Sequence, residues 1–110
     1  MPKIDLQQTY ENADGTVAID PRTKAPMILK DILIMGLLND DQRNPLSAKE
    51  KADRYSLYRD IKKSKVGYVL LDAEDVVLLK KAVEVLPTLT LGQTHEMLER
   101  EYAPPVEPTP

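Results

Sequence analysis

Hydrophobic and polar positions alternate weakly at the start of the chain and then settle into four helix-like blocks. In residues 3 to 9, KIDLQQT, Ile4 and Leu6 fall on one side. ENADGTVAID follows, and its Asp14-Gly15 pair is a strong turn signal ahead of a strand-like run from Thr16 to Ile19. This pattern predicts a small N-terminal β-hairpin, which needs a packing surface to persist in water. Asp20-Pro21 and Ala25-Pro26 bracket a polar turn, and the restriction on residues before proline places the next helix after Ala25.

The first helix is expected over residues 27 to 39. Nine of the twelve positions from Met27 to Leu38 are apolar, the mark of a central buried helix. Gly36 within it either admits a close neighbouring backbone or sits near the helix end, since glycine costs about 1 kcal/mol in a helix interior. After a polar connection closed by Asn44-Pro45, Ser47 and Glu50 stand at capping-box spacing and open a second helix, Ala48 to about Lys63. Ala52, Tyr55, Tyr58 and Ile61 give it a narrow apolar stripe, so it reads as peripheral. VGYVLL, residues 66 to 71, is either a strand paired with the hairpin or an extended linker.

Asp72 precedes Ala73-Glu74-Asp75 as an N-cap with acids in the first turn. Val76, Leu79, Ala82, Val83 and Leu86 define a third helix that stops at Pro87. Thr90, with Gln93 at capping-box spacing, is the expected start of a fourth, whose inner side carries Leu91, Thr94, Met97, Leu98 and Tyr102. Four of the eight residues in APPVEPTP are proline, which marks residues 103–110 as a flexible, polyproline-like tail. The expected architecture is mainly α: a compact bundle of about four helices with the hairpin, forming one domain over residues 1–102.

Composition narrows the possible chemistry. A chain of 110 residues without Phe, Trp or Cys must build its core from aliphatic residues and tyrosine. It has no thiolate, no disulfide and no cysteine metal site. The run from residue 27 to 38 is too short to cross a bilayer and contains Lys30 and Asp31. With no apolar leader in MPKIDLQQTYEN, the chain reads as cytoplasmic and away from membranes. His95 is the single histidine. Glu99 is within helical reach of it, a spacing equally common on solvated faces. Asp40-Asp41 and Glu74-Asp75 lack calcium-loop spacing, and no phosphate-binding glycine motif or nucleophile elbow is present. These absences argue against an enzyme and for a protein without cofactor or metal.

Two features remain. The second helix and its exit carry Lys49, Lys51, Arg54, Arg59, Lys62, Lys63 and Lys65 against Glu50, Asp53 and Asp60. This is either an ordinary solvated face or a nucleic-acid contact made by Arg54, Arg59, Lys62, Lys63 and Lys65, with tyrosines available for stacking. The overall charge of −3 disfavours a general nucleic-acid coat. The second feature is the aliphatic surplus of residues 74 to 91. Val77, Leu78, Val85, Leu89 and Leu91 either complete the core or form an exposed interface.

The order of an N-terminal "DGT" turn, a "LKDILIMGLL" helix, a "KADRYSLYRDIKK" helix and a closing "LDAEDVVLLKKAVEVLPTLTLGQTHEMLE" resembles small accessory proteins encoded by tailed bacteriophages and prophages. The likeness spans residues 3 to 99 and rests mainly on structural positions. It implies a viral origin and a small accessory role, without implying catalytic residues. The expectation is therefore a non-enzymatic, phage-encoded protein-binding module. It would be a virion assembly or accessory factor, or a binder of a host protein, acting by stoichiometric association and with homo-oligomerisation open. The alternative is a small nucleic-acid-binding regulator that uses residues 48 to 65.

Overall fold

The computed structural model of the protein describes residues 3–39, 45–64 and 67–100. Along the chain the elements are β1 (Lys3–Asp5), α1 (Leu29–Leu38), α2 (Ala48–Lys63), β2 (Tyr68–Leu70), α3 (Ala73–Ala82) and α4 (Thr88–Glu99). The fold is mainly α, as the hydrophobic pattern predicts. Lys65, Tyr102, Asp40-Asp41 and the tail 103–110 lie outside the described residues.

Helix boundaries follow their caps. Ser47 Oγ accepts from the Glu50 amide at 3.1 Å while the Ser47 amide donates to Glu50 Oε1 at 3.4 Å. Asp72 and Asp75 form the same reciprocal pair, at 2.7 and 3.2 Å. Each box satisfies two amide donors that a helix start leaves without partners. α4 departs from expectation. It begins at Thr88 after Pro87 with no side-chain cap. Thr90 and Gln93 already lie inside the helix, and both are used elsewhere.

α1 is the hub, packed against both α2 and α3. Its Leu29, Ile32, Leu33 and Leu37 are buried, while Met35 and Leu38 face out. Gly36 is a close-approach residue: a Cβ there would meet Val83 Cγ1 at 3.1 Å and the Ala82 carbonyl oxygen at 3.2 Å. Any larger side chain would push the α1–α3 seam apart. On α2 the inner side is Leu57 and Ile61, one helical turn apart. The expected stripe is thus corrected, because Ala52 and Tyr55 are exposed and only Tyr58 and Ile61 of the four lean inward. Tyrosine suits a boundary, so its spacing alone does not locate the buried face.

The only regular ladder among the described residues joins β1 to β2, antiparallel, with Lys3, Ile4 and Asp5 opposite Leu70, Val69 and Tyr68. It buries Ile4 and Val69, as the weak alternation suggests. The expected turn forms at Asp14-Gly15. The Asn12 amide donates to Thr16 O, the Gly15 amide donates to Asn12 O, and Gly15 adopts φ +88, a conformation open to glycine. Its arms pair at an isolated bridge, Glu11 with Val17, and a second bridge, Ile19 with Pro26, closes the following turn. Three backbone segments then close a ring of hydrogen bonds: Ala18 N to Tyr10 O, Met27 N to Ala18 O and Tyr10 N to Met27 O.

α4 holds this N-terminal unit through directed polar contacts. Gln93 accepts from the Glu11 amide at 2.8 Å and returns its own amide to the Glu11 carbonyl at 3.0 Å. It therefore imitates a strand residue on a helix. Buried Tyr10 meets buried Thr94 at 2.7 Å, and the Thr94 hydroxyl donates to Thr90 O at 2.8 Å. Gln8 Nε2 donates to Met97 O at 3.2 Å, satisfying a carbonyl in the last turn of α4.

Candidate interaction surfaces

α2 and α3 leave an open groove between them. One part of it, about 410 Å³, is lined by Asp53, Asp60, Glu74 and Asp75, with Leu57 and Leu78. A second part, about 190 Å³, shares Asp53, Glu74 and Leu78 and adds Val77 and Arg54. One ion pair bridges it, Lys81 Nζ to Glu50 Oε2 at 3.3 Å. That lysine, with the cap amide of Ser47, holds Glu50 below the ordinary carboxylate value. Asp75 is held above its ordinary value, first by partial burial and further by the charges of Asp72 and Asp60. The groove is therefore electrostatically uneven, with acids crowded at one end.

The charges of α2 are sorted by face. At 3.6 residues per turn, Lys51, Tyr55, Arg59, Lys62 and Lys63 share an arc of roughly 140° with Tyr58, and no acid of the helix falls inside it. Asp53 and Asp60 lie toward α3. Arg54 is half-buried and also lines the groove, so it stands apart from the exposed cations. Lys62 donates to the Tyr58 hydroxyl at 3.1 Å and lies 5.5 Å from its ring centre. Tyr55 is 57% exposed, with its ring 6.0 Å from that of Tyr58.

The five aliphatic candidates do not form one surface. Leu78 and Leu91 are partly buried and pack on the core, so they contribute little free area. Val77, 67% exposed, belongs to the α2–α3 groove. Leu89 lines a depression of about 360 Å³ between α4 and the Asn12–Gly15 turn. Val85 leaves the C-terminal end of α3 at 52% exposure. Leu38, which the sequence had assigned to a buried helix, is also 52% exposed. Because Gly36 lies against Ala82 and Val83, the C-terminal ends of α1 and α3 meet there. Leu38 and Val85 each lie two residues beyond this contact, and both are exposed.

Ionisable candidates are dispersed. His95 is half-buried, and its Nε2 is enclosed without a hydrogen-bond partner among the described residues. Glu99 is drawn instead to Lys80, 3.0 Å away, which lowers its affinity for a proton. No group of three or more His, Asp or Glu placed to hold a metal ion occurs among the described residues. None of the described helices is long and apolar enough to cross a membrane.

Sequence reasoning missed the Gln93, Gln8 and Tyr10–Thr94 contacts, which join residues 82 to 89 positions apart. It also missed the sorting of charge on α2, although helical spacing alone contains that signal. No protein-family model, characterised protein or solved structure matches the chain.

Proposed function

We propose that this protein is a non-enzymatic binding module that acts by stoichiometric association with another protein. The observation that carries this reading is the exposure of Leu38 and Val85, each two residues beyond the Gly36–Val83 contact, with Met35 and Leu89 also half exposed. The core closes without these four side chains. Exposed apolar area that adds nothing to folding has its most economical use at an interface. The resemblance to tailed-phage accessory proteins supports a viral setting in the cytoplasm of a bacterial host or in association with the virion. There the partner is a virion component, an assembly intermediate or a host protein.

The test is affinity capture from bacterial host lysate and from purified virions, combined with light scattering of the pure protein. Both compare the natural chain with a Leu38→Asp, Val85→Asp double variant. The substituted positions are exposed, so the variant is expected to fold. The natural chain is expected to capture a partner in fixed ratio or to self-associate, and the variant to lose that behaviour. A natural chain that stays monomeric and captures nothing overturns the reading, as does a variant that behaves identically.

A further inference from the structure

We infer that the outward face of α2 binds single-stranded nucleic acid, with Lys51, Arg59, Lys62 and Lys63 on phosphates and Tyr55 stacked on a base.

Three observations converge on this occupant. First, the four cations are exposed and form no ion pair among the described residues. The acids of the same helix face α3, so the positive charge of this face is not cancelled locally despite the net charge of −3. Second, the helix dipole favours Lys62 and Lys63 in the last turn but gives no reason for Lys51 and Arg59 further up. Third, two tyrosines are interleaved with the cations. Tyr55 carries no hydroxyl hydrogen bond among the described residues, and the ring of Tyr58 is braced by Lys62. Alternating cations and an accessible ring match a phosphate backbone with unstacked bases. A duplex hides its base faces and would leave Tyr55 unused.

One more cation stands near the helix end. Ser64, just past its end, hydrogen bonds to the Tyr68 carbonyl of β2, and Lys3 stands 5.0 Å over the Tyr68 ring. A further cation is therefore set beside the strand to which the helix end is tied.

The experiment is fluorescence anisotropy of the full chain with labelled 20-nucleotide oligo-dT and oligo-U, over a series of salt concentrations. Four phosphate contacts predict a log–log salt slope of about −3 for a single strand. Lys62→Glu with Lys63→Glu should weaken binding at least tenfold and roughly halve the slope. Tyr55→Ala should weaken binding about tenfold with the slope unchanged, and Tyr55→Phe should restore it, because stacking needs the ring and not the hydroxyl. Arg22→Glu, on the N-terminal turn, should leave binding as it is. Far-ultraviolet circular dichroism confirms that each variant is folded. Absence of binding at low salt overturns the inference. So does tighter binding to a 20-base-pair duplex, equal competition by polyglutamate of matched charge, or indifference to both α2 substitutions.

Discussion

The junction between the N-terminal unit and α4 and the groove between α2 and α3 use polar side chains in opposite ways. At the junction, Gln8, Tyr10, Gln93 and Thr94 each spend a polar group on a specific partner, and the two parts are held in register. Across the groove, Asp53, Asp60, Glu74 and Asp75 line one cavity, and among the described residues a single lysine–glutamate pair spans it. Both helices at the groove are anchored on α1, so they need no bond to each other to stay in place. The N-terminal unit has no regular ladder beyond three residues on β1; side-chain bonds to α4, together with backbone bonds from Leu29 and Lys30 at the start of α1, fix it in place. Polar precision is found where packing alone does not set the geometry, and charge is left unbalanced where packing already has.

Substitutions on the two sides should separate these roles. Tyr10→Ala is expected to cost about 3–5 kcal/mol in urea unfolding, since it empties a fully buried ring site. Tyr10→Phe should cost only about 1 kcal/mol. The natural phenol is pushed up to about 12 by burial. A group raised in the folded state contributes its full share below its ordinary value near 10 and loses it as pH climbs toward the folded value. The natural protein should therefore lose stability across that interval, and Tyr10→Phe should not. An identical alkaline profile would show that the phenol is not confined as described.

Gln93→Ala is expected to cost about 1–2 kcal/mol and, more specifically, to speed hydrogen exchange at the Glu11 amide while leaving the amides of α1 unchanged. Uniform acceleration would mean that the junction and the hub unfold as one unit, erasing the contrast. The smallest effect is expected in the groove. Asp75→Asn retains an oxygen to accept from the Asp72 amide and removes a carboxylate whose ionisation the fold resists. Since that group is raised in the folded state, the natural protein is penalised as pH rises above the ordinary aspartate value of about 4. The variant should gain slightly in urea unfolding near neutral pH and nothing in acid. A loss at neutral pH would assign Asp75 to the helix dipole instead.

Local signals in the sequence were sufficient for most of the fold. The Ser47–Glu50 and Asp72–Asp75 spacings mark the starts of α2 and α3 because a capping box is complete within four residues. Asp14-Gly15 marks its turn for the same reason. Gln93 misleads because its spacing from Thr90 imitates a cap, whereas its amide answers Glu11 at the far end of the chain. Tyr55 and Tyr58 mislead because tyrosine tolerates either side of a boundary. Leu57 and Ile61 become visible as the buried pair only once α1 is in place. The candidate surfaces were legible as lists of residues but not as groupings. The distance along the chain from Leu38 to Val85 conceals that both follow the contact between Gly36 and Val83, and helical spacing separates Arg54 from Arg59 although both belong to one basic run.

Gly36 ties the interior to the residues that follow the α1–α3 contact. Its missing methyl group sets how closely the last turns of α1 and α3 can lie, and thereby the gap between two side chains that it never touches. A partner that reads the spacing of Leu38 and Val85 would in effect be reading a hydrogen atom inside the protein. Widening the seam at position 36 would shift the last turn of α1 against that of α3 while leaving both side chains unchanged.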